Sequence, residues 1–406
     1  MTDPRSSPGE TVQRYFQDDF GPTGRGFMVR VPGRVNLIGE HIDYNGLPVM
    51  PLAIDRWVTM VLRRRDDQTV TIRNADPRYG GCTFELSSAI KPAPQGDWSN
   101  YPRAAAQAMA SRHPGIRGMD VMIGSTIPPA MGLSSSSALV VASALALLAA
   151  NDLPIDRPAL MDRLPGAERY VGVAGGGMDQ AICLGATAGA ASLIRFDPLS
   201  LEAIPIPAAW SVVVASSLVR AEKSAGARAV YNRRTEECRQ ALTAVWRSLG
   251  LAGRPRYRDL VGARAVDELV AAGARCLEPV LLKRFRHVVT EHGRVARAVA
   301  ALRTRDLNTM GGVLSASHTS LRDDYEVSCT ELDRLVSIAL EGGAAGARLT
   351  GAGLGGCAVA VVPRDGAGGL IERLDRDFYR GLEPGEPRSS VRFVAAAVSG
   401  AEVVPL

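Results

Sequence analysis

The chain has 406 residues, of which 46% are hydrophobic and 22% charged, and its formal net charge is +5. A single hydrophobic core stops growing at roughly 250–300 residues, so this length favours two domains. Arginines and acidic residues are interspersed without a dense basic run, which argues against nucleic acid as a partner. The most apolar run, residues 138–150, is shorter than the roughly 20 residues that a membrane-spanning helix needs, so no membrane association is expected.

The cysteines are widely spaced and form no CxxC pair, and the first residues lack a signal-peptide pattern. Both features predict reduced thiols and a cytoplasmic protein. For the quaternary structure we expect a monomer or a weak dimer.

Apolar periodicity and helix-ending residues predict helices and strands along most of the chain. The predicted helices are residues 11–20, an alanine-rich stretch within 96–112, and residues 138–150, 224–247, 281–302 and 331–341. The predicted strands are residues 57–62, 69–72, 119–123, 211–215 and 358–362, with two more in 186–206.

A run of small residues, Pro128 to Ala138, separates the strand at 119–123 from the helix at 138–150. It contains four consecutive serines, and we call it the serine loop. A helix N-terminus presents unpaired N–H groups and the positive end of the helix dipole, which attract an anion. Serine hydroxyls can cap a helix, bind phosphate oxygens or reach a metal ion, so a simple helix cap and a phosphate site are both possible.

Residues 33–46, which we call the polar segment, follow an alternating apolar stretch. They combine Arg, Asn, Glu, His, Asp and Tyr within about a dozen positions. A simple strand and loop rarely concentrate so many titratable and hydrogen-bonding types, so the segment predicts a binding site.

Residues 351–356, the glycine loop, formally match GxGxxG. A dinucleotide fingerprint opens a helix, but here a strand follows, so that interpretation fails. A glycine loop between a helix and a strand can still surround a polyanion with N–H groups. The glycines at 175–177 precede Asp179 and predict backbone close to a ligand, with a turn as the alternative.

Two aromatic residues, Trp98 and Tyr101, flank Asn100. They suit stacking on a base whose edge Asn100 binds, although packing in the core is equally consistent with their spacing. Lysine occurs only at positions 91, 223 and 283, and none lies in a P-loop or in the V-A-I-K context of protein kinases. His287 and His292 have no acidic partners at metal spacing and are predicted to be structural or exposed.

Taken together, these motifs resemble the GHMP kinase superfamily, and its galactokinase branch in particular. The polar segment is similar to the galactokinase signature, the serine loop to the GLSSSxA phosphate motif, and the glycine loop to the C-terminal glycine motif. The similarity extends over about residues 10–400 and includes Tyr231 to Arg234, Cys238, Arg286 to Glu291, and Ser317-His318 through Leu332.

The resemblance implies an α+β, two-domain GHMP kinase fold with ATP and sugar between the domains. The expected division is an N-terminal domain of the ribosomal protein S5 type, residues 1–199, and a ferredoxin-like C-terminal domain, residues 200–406. The implied reaction is the ATP-dependent phosphorylation of the anomeric hydroxyl of D-galactose, with Mg²⁺ as the metal.

The resemblance also assigns roles to particular residues. Asp179 and Arg34 are the expected catalytic residues, and Ser136 and Glu168 the expected Mg²⁺ ligands. The expected sugar-binding residues are Glu40, His41, Asp43, Tyr231 and Gly176. The expected ATP-binding residues are Trp98, Gly132, Leu133, Ser134, Ser135, Ser136, Ser137, Gly351 and Gly353.

The substrate is the least determined part of this assignment. Ile42, Leu47, Val140 and Gly175–Gly177 depart from the pattern of many galactokinases. Several of these, with Phe196 to Leu199, resemble the eukaryotic-type branch that contains plant galactokinases and N-acetylgalactosamine kinases. Tyr231 favours galactose, because the enzymes for the acetamido sugar tend to carry Phe there. N-acetylgalactosamine or arabinose as substrate, and a non-catalytic galactose sensor, are the alternatives. The intact serine loop, Asp179 and Arg34 favour an enzyme.

Overall fold

The computed structural model describes residues 8–172, 175–220, 225–382 and 388–406. Within these ranges the strands are β1 (Gly26–Ile38), β2 (Met50–Arg64), β3 (Thr69–Asn74), β4 (Cys82–Glu85), β5 (Met119–Ser125), β6 (Ala190–Arg195), β7 (Ser200–Pro205), β8 (Trp210–Ser216), β9 (Gly346–Thr350), β10 (Cys357–Pro363), β11 (Arg392–Ala395) and β12 (Glu402–Pro405).

The helices of the same ranges are α1 (Pro8–Phe20), α2 (Asn100–Arg112), α3 (Ser135–Ala150), α4 (Arg157–Ala167), α5 (Met178–Gly185), α6 (Ala225–Ser248), α7 (Tyr257–Ala263), α8 (Val266–Cys276), α9 (Pro279–Thr304), α10 (Leu307–Asp323), α11 (Thr330–Glu341), α12 (Ala367–Asp377) and α13 (Arg388–Val391). The predicted α+β class is confirmed.

The first sheet has the strand order β12-β1-β2-β5-β3-β4. Successive side chains of a strand point to opposite faces, and the sheet is covered on both of them. Val61 and Met122 pack against α1, whereas the neighbouring Leu62, Val121 and Ile123 join the main core beneath α2 and α3. This two-sided burial explains why the residues of β5 up to Ile123 are all buried.

The second sheet has the order β11-β8-β10-β9, and α10 and α11 pack against β9 and β10. The strands β6 and β7 form a separate hairpin, and the predicted boundary between residues 199 and 200 falls between them. That division stays a prediction. The strand β12 returns to the first sheet and pairs with β1.

Every predicted helix and strand is present, with two local corrections. The helix predicted from Ala138 begins at Ser135, because Ser134 adopts a left-handed conformation that directs the following serines into the first turn. The glycine loop does not follow a helix directly, since the short strand β9 intervenes and the loop joins β9 to β10. None of the described helices is long and apolar enough to cross a membrane.

Candidate active site

One cavity of about 460 Å³ lies where the polar segment, the serine loop and the glycine loop meet. Its volume is within the range of small-molecule sites. Its lining contains most of the predicted site residues: Arg34, Glu40, His41, Asp43, Trp98, Gly132, Ser134, Ser135, Ser136, Glu168, Gly176, Asp179, Tyr231, Gly351 and Gly353. Leu133 and Ser137, which were also predicted, lie behind this surface, where both are buried.

Arg34 and Asp179 form a bidentate ion pair in the cavity. Arg34 Nε lies 2.7 Å from Asp179 Oδ1, and Arg34 Nη2 lies 2.9 Å from Oδ2. The Arg34 side chain is 7% exposed and that of Asp179 is 24% exposed, so the carboxylate is the more accessible partner. Arg34 Nη1 also donates to the carbonyl of Gly132, which fixes the guanidinium against the serine loop.

The end of the cavity that contains Arg34 and Asp179 is called the phosphate end here. Hydroxyls of the serine loop contact two carboxylates at this end, those of Asp179 and Glu168. Ser134 Oγ donates to Asp179, and Ser137 Oγ lies 2.5 Å from Glu168 Oε1. Gly132 and Ser134 both have positive φ, of 72° and 60°, which turns the chain sharply into α3. The N–H groups of the first turn of α3 therefore open beside two carboxylates and an arginine.

The donor set at the phosphate end suits Mg²⁺. This ion prefers oxygen ligands, and it usually takes one or two carboxylates together with substrate phosphates. Glu168 and Ser136 both line the cavity and supply a carboxylate and a hydroxyl. Among the described residues, no group of three or more His, Cys, Asp or Glu side chains could hold a metal.

Residues 36–46 of the polar segment form another part of the cavity wall, which we call the sugar end after the role that the sequence predicts for it. The segment leaves β1 with a register irregularity between Asn36 and Ile38, and Gly39 and His41 then adopt positive φ of 93° and 61°. A short 3₁₀ helix, Asp43–Asn45, follows. Gly176 packs on this helix so closely that an added Cβ would lie 2.3 Å from Tyr44 N, which explains the glycine.

Two carboxyl groups at the sugar end, those of Asp43 and Glu40, have raised pKa values. Burial, together with the negative charge of Asp179, raises the pKa of Asp43 to about 7. Glu40 is almost completely buried, and burial raises its pKa, although Arg348 and Arg34 oppose the shift. Arg348 Nη2 and Gly351 N lie 2.8 Å and 2.9 Å from Glu40 Oε2, so Oε1 is the less engaged oxygen.

An aromatic wall of His41, Tyr44, Tyr231 and Tyr325 closes the sugar end. His41 Nδ1 lies 3.0 Å from Tyr44 Oη, and Nε2 lies 3.2 Å from the carbonyl of Ala352. Burial lowers the pKa of His41 to about 3, so the ring is neutral. Since a carbonyl only accepts, Nε2 carries the proton and Nδ1 accepts from Tyr44. Both nitrogens are therefore engaged, and the sugar-binding role of His41 stays a prediction.

Trp98 and Tyr101 also line the cavity, together with the apolar Val58 and Ile123. This apolar region suits a nucleobase, but Asn100 is not available to bind the edge of one. Its side-chain amide is buried and binds the backbone of Ala93 and Pro94, so that part of the prediction is wrong.

The glycine loop contacts the serine loop directly. An added Cβ would lie 2.7 Å from Gly132 O at Gly351 and 2.2 Å from Val327 O at Gly353, and both glycines have positive φ. Close packing against Gly132 and Val327 therefore requires glycine at both positions, whether or not the loop also contacts phosphate.

The sequence analysis missed three buried residues behind the sugar end, namely Arg348, Glu291 and His287. His287 was predicted to be structural or exposed, and it is fully buried, with Nε2 3.0 Å from the carbonyl of Glu40. Motif similarity around residues 286–291 and 348 was the only available signal. Of the lysines, Lys91 and Lys283 do not line the cavity, and Lys223 lies outside the described residues.

Comparison with known proteins identifies the family of this chain. Residues 14–64 match the galactokinase galactose-binding signature, residues 100–186 the N-terminal domain of GHMP kinases, and residues 298–381 their C-terminal domain. A galactokinase of Chloroflexus aurantiacus is 40% identical over 358 residues, covering 87% of this chain and 88% of the relative. The chain belongs to the galactokinase family of GHMP kinases.

Other relatives agree with this membership. A galactokinase of Roseiflexus is 37% identical over 97% of this chain and 96% of its own length. The crystal structure of Lactococcus lactis galactokinase complexed with galactose superimposes with a TM-score of 0.86, at 30% identity over 97% of this chain and 99% of that one. Mevalonate kinase of Methanococcus jannaschii, at 18% identity and a TM-score of 0.63 over 93% of this chain and 100% of its own, shares the fold alone. The expected two-domain GHMP kinase fold is therefore confirmed.

Proposed function

We propose that the protein transfers the γ-phosphoryl group of ATP to the anomeric hydroxyl of D-galactose, giving galactose 1-phosphate and ADP. The observation that carries the proposal is the Arg34–Asp179 pair at the phosphate end, which lines the same cavity as Glu40 and Asp43 of the sugar end. Membership of the galactokinase family supports the choice of substrate.

The proposed reaction is an in-line displacement. The anomeric oxygen bonds to the γ-phosphorus as the bond from that phosphorus to the β–γ bridging oxygen breaks, and ADP leaves. Such a transfer depends mainly on positioning and charge neutralisation. Asp179 accepts the proton of the attacking hydroxyl, a role typically worth about 10²–10⁴-fold in rate.

Arg34 has two functions in this mechanism. Its permanent charge keeps Asp179 ionised, and the fork that binds both carboxylate oxygens fixes their direction. Its contact with the carbonyl of Gly132 ties the same guanidinium to the phosphate end. Arg34 thereby aligns the proton acceptor with the loop that receives the triphosphate.

ATP and Mg²⁺ are the proposed cosubstrate and metal. The base would lie beside Trp98 and Tyr101, and the phosphates against residues 132–137 and the glycine loop. Ser136 and Glu168 would hold Mg²⁺, which when bound neutralises charge on the phosphates. Ser137, in contact with Glu168, orients that carboxylate.

The sugar hydroxyls are proposed to bind Glu40, Asp43 and the backbone at Gly176, with Tyr231 as part of the wall. The Tyr231 ring lies 5.3 Å from Tyr44 and 5.7 Å from His41, centroid to centroid, so the wall is closely packed. A closely packed wall favours galactose over a sugar with a bulky acetamido group. We also propose a cytoplasmic monomer or weak dimer, with no nucleic-acid partner.

The decisive experiment measures ADP release, in a coupled assay, with galactose, N-acetylgalactosamine, arabinose and glucose. We expect the highest kcat/KM with galactose, and phosphorus NMR should identify the product as the 1-phosphate. A higher kcat/KM with another sugar would identify that sugar, instead of galactose, as the substrate. No ADP release with any of them would favour a galactose sensor.

A further inference from the structure

Residues 36–41 of the polar segment are held by side chains from more than 240 positions away in the sequence. The irregular exit from β1 deprives this backbone of regular strand partners. Buried backbone groups must find other hydrogen-bond partners, because leaving them unpaired is costly. Here the partners are Arg348, Thr350, Glu291 and His287.

Arg348 binds the segment from β9. Its side chain is fully buried, and Nη1 donates to the carbonyls of Asn36 and Leu37 at 3.1 Å and 3.0 Å. The other branch, Nη2, donates to Glu40 Oε2 at 2.8 Å. One guanidinium therefore fixes the backbone before Glu40 and the carboxylate of Glu40 at the same time.

Glu291 binds the same segment from α9. Its side chain is fully buried, and Oε1 accepts from Gly39 N at 2.9 Å and from Ser317 Oγ at 2.8 Å. Its other oxygen accepts from Arg294 Nε at 2.6 Å. Burial opposes ionisation, but the nearby Arg294 and Arg348 charges, His287 and the hydrogen bond from Arg294 together lower the pKa of Glu291 to about 2, so the carboxylate is ionised.

These contacts have one geometric result. Arg348 and Gly351 N occupy Glu40 Oε2, whereas Oε1 has only a longer contact of 3.3 Å with Asn36 Nδ2. Glu40 lines the cavity, and Arg348 and Glu291 lie behind it. The arrangement leaves one oxygen of Glu40 for a ligand and fixes its direction.

We propose that Arg348 and Glu291 are positioning residues for sugar binding, which hold Gly39 and Glu40 so that Glu40 Oε1 meets a sugar hydroxyl. This inference rests on the proposed function. Neither residue touches the sugar, so their loss should raise the KM for galactose much more than it lowers kcat. Arg34, which holds the serine loop through the carbonyl of Gly132, is unchanged in such variants, so the KM for ATP should change much less than the KM for galactose.

The first test replaces Arg348 by lysine. Arg348→Lys keeps the positive charge but replaces the two-branched guanidinium by a single ammonium group, so the side chain cannot bind both backbone carbonyls and Glu40. We expect the KM for galactose to rise at least tenfold, with kcat within about fivefold and the KM for ATP within about threefold. Arg392→Lys is the matched control, because Arg392 also binds a carboxylate, Asp375, through two nitrogens, and it does not line the cavity.

The control variant distinguishes a loss of positioning at the sugar end from a general loss of protein stability. Both arginine variants should lower the melting temperature, but Arg392→Lys should leave the galactose KM unchanged. An equal change of galactose KM in the two variants, or an unchanged KM in folded Arg348→Lys, would overturn the proposal.

A second variant, Glu291→Gln, preserves side-chain volume if Arg348→Lys does not fold. Either orientation of the amide places its NH₂ group against a donor, Gly39 N or Arg294 Nε, so the segment must shift. We expect the galactose KM to rise at least threefold, whereas Asp375→Asn, its control, leaves that KM unchanged. An unchanged KM in Glu291→Gln would also overturn the proposal.

The wild-type assay distinguishes the two ideas. Absence of sugar phosphorylation in the wild type refutes the proposed function, and with it the basis of the inference. Normal wild-type turnover combined with unaffected variants refutes the positioning role alone.

Discussion

The two ends of the cavity are both built on ion pairs, but the partners come from different parts of the chain. At the phosphate end, Arg34 pairs with Asp179, and Ser137 binds Glu168, all within the first 200 residues. At the sugar end, Glu40 pairs with Arg348, 308 positions away, and Gly39 binds Glu291, 252 positions away.

This difference has a consequence for mutations. In the proposed mechanism, the reacting groups at the phosphate end hold each other, so a substitution there should act directly on the chemical step. The groups proposed to bind the sugar depend on buried residues behind them, so a substitution of those buried residues should change substrate affinity without touching the cavity. The following predictions test this contrast, beginning with the largest expected effect.

Asp179→Ala should abolish the chemical step while leaving nucleotide binding intact. Without the proton acceptor, kcat should fall by about 10²–10⁴-fold, the typical value of general base catalysis. Affinity for a non-hydrolysable ATP analogue, measured by calorimetry, should change less than about threefold. Asp152→Asn, at an exposed ion pair with Arg25, is the control and should keep normal turnover. Near-normal activity in Asp179→Ala would remove Asp179 from the mechanism.

Asp43→Asn should weaken sugar binding and change its pH dependence. The pKa of about 7 means that the Asp43 carboxylate forms as pH rises through neutrality, so wild-type kcat/KM for galactose should increase up to about pH 8. A hydrogen bond to a charged group contributes roughly 1.5–3 kcal/mol, so the variant should raise KM by about tenfold to a hundredfold. The Asp43→Asn variant should also lack the increase in kcat/KM near pH 7. If that rise persists in Asp43→Asn, another group controls it.

Gly176→Ala should disturb the sugar end through the backbone. The added Cβ would lie 2.3 Å from Tyr44 N and 2.4 Å from Asp43 C, so the 3₁₀ helix must move. We expect a galactose KM about tenfold higher, and a free energy of unfolding lower by about 1–3 kcal/mol in urea denaturation, as for other overpacked sites.

The neighbouring glycine provides the comparison. A Cβ at Gly175 would meet nothing closer than Glu168 Oε2 at 3.5 Å, so Gly175→Ala should change the free energy of unfolding by about 0.5 kcal/mol or less. Equal destabilisation by the two variants would show that contact with the 3₁₀ helix is not the cause.

Ser136→Ala and Ser137→Ala should differ in magnesium dependence. Ser136 lines the cavity and is the proposed ligand, so its loss should raise the Mg²⁺ concentration for half-maximal rate by about tenfold. Ser137 is buried and donates to Glu168 Oε1 and, at 3.4 Å, to Asp179 Oδ2, so it is proposed to orient these carboxylates and we expect a smaller increase, of a few fold. The measurement is a Mg²⁺ titration at saturating ATP and galactose. The reverse order of effects would make Ser137 the ligand.

The sequence predicted the phosphate end better than the sugar end. Consecutive small residues followed by an apolar helix have a direct structural meaning, and only the start of α3 was misplaced, because Ser134 takes a conformation uncommon for serine. The strand β9 was missed because its five residues are too short for a periodic pattern. Pattern alone did not identify Arg348 or Glu291, because arginine and glutamate are rarely buried unless a distant residue pairs with them.

The return of β12 to the first sheet bears on how the molecule is made. Residues 402–405 pair with Phe27 to Arg30, so that edge of the sheet stays open until residues 402–405 have left the ribosome. Unpaired edges are templates for association with other chains. Fragments that stop before residue 402 thus expose the Phe27–Arg30 edge of β1, and chaperone binding to nascent chains would protect the edge that β12 later covers.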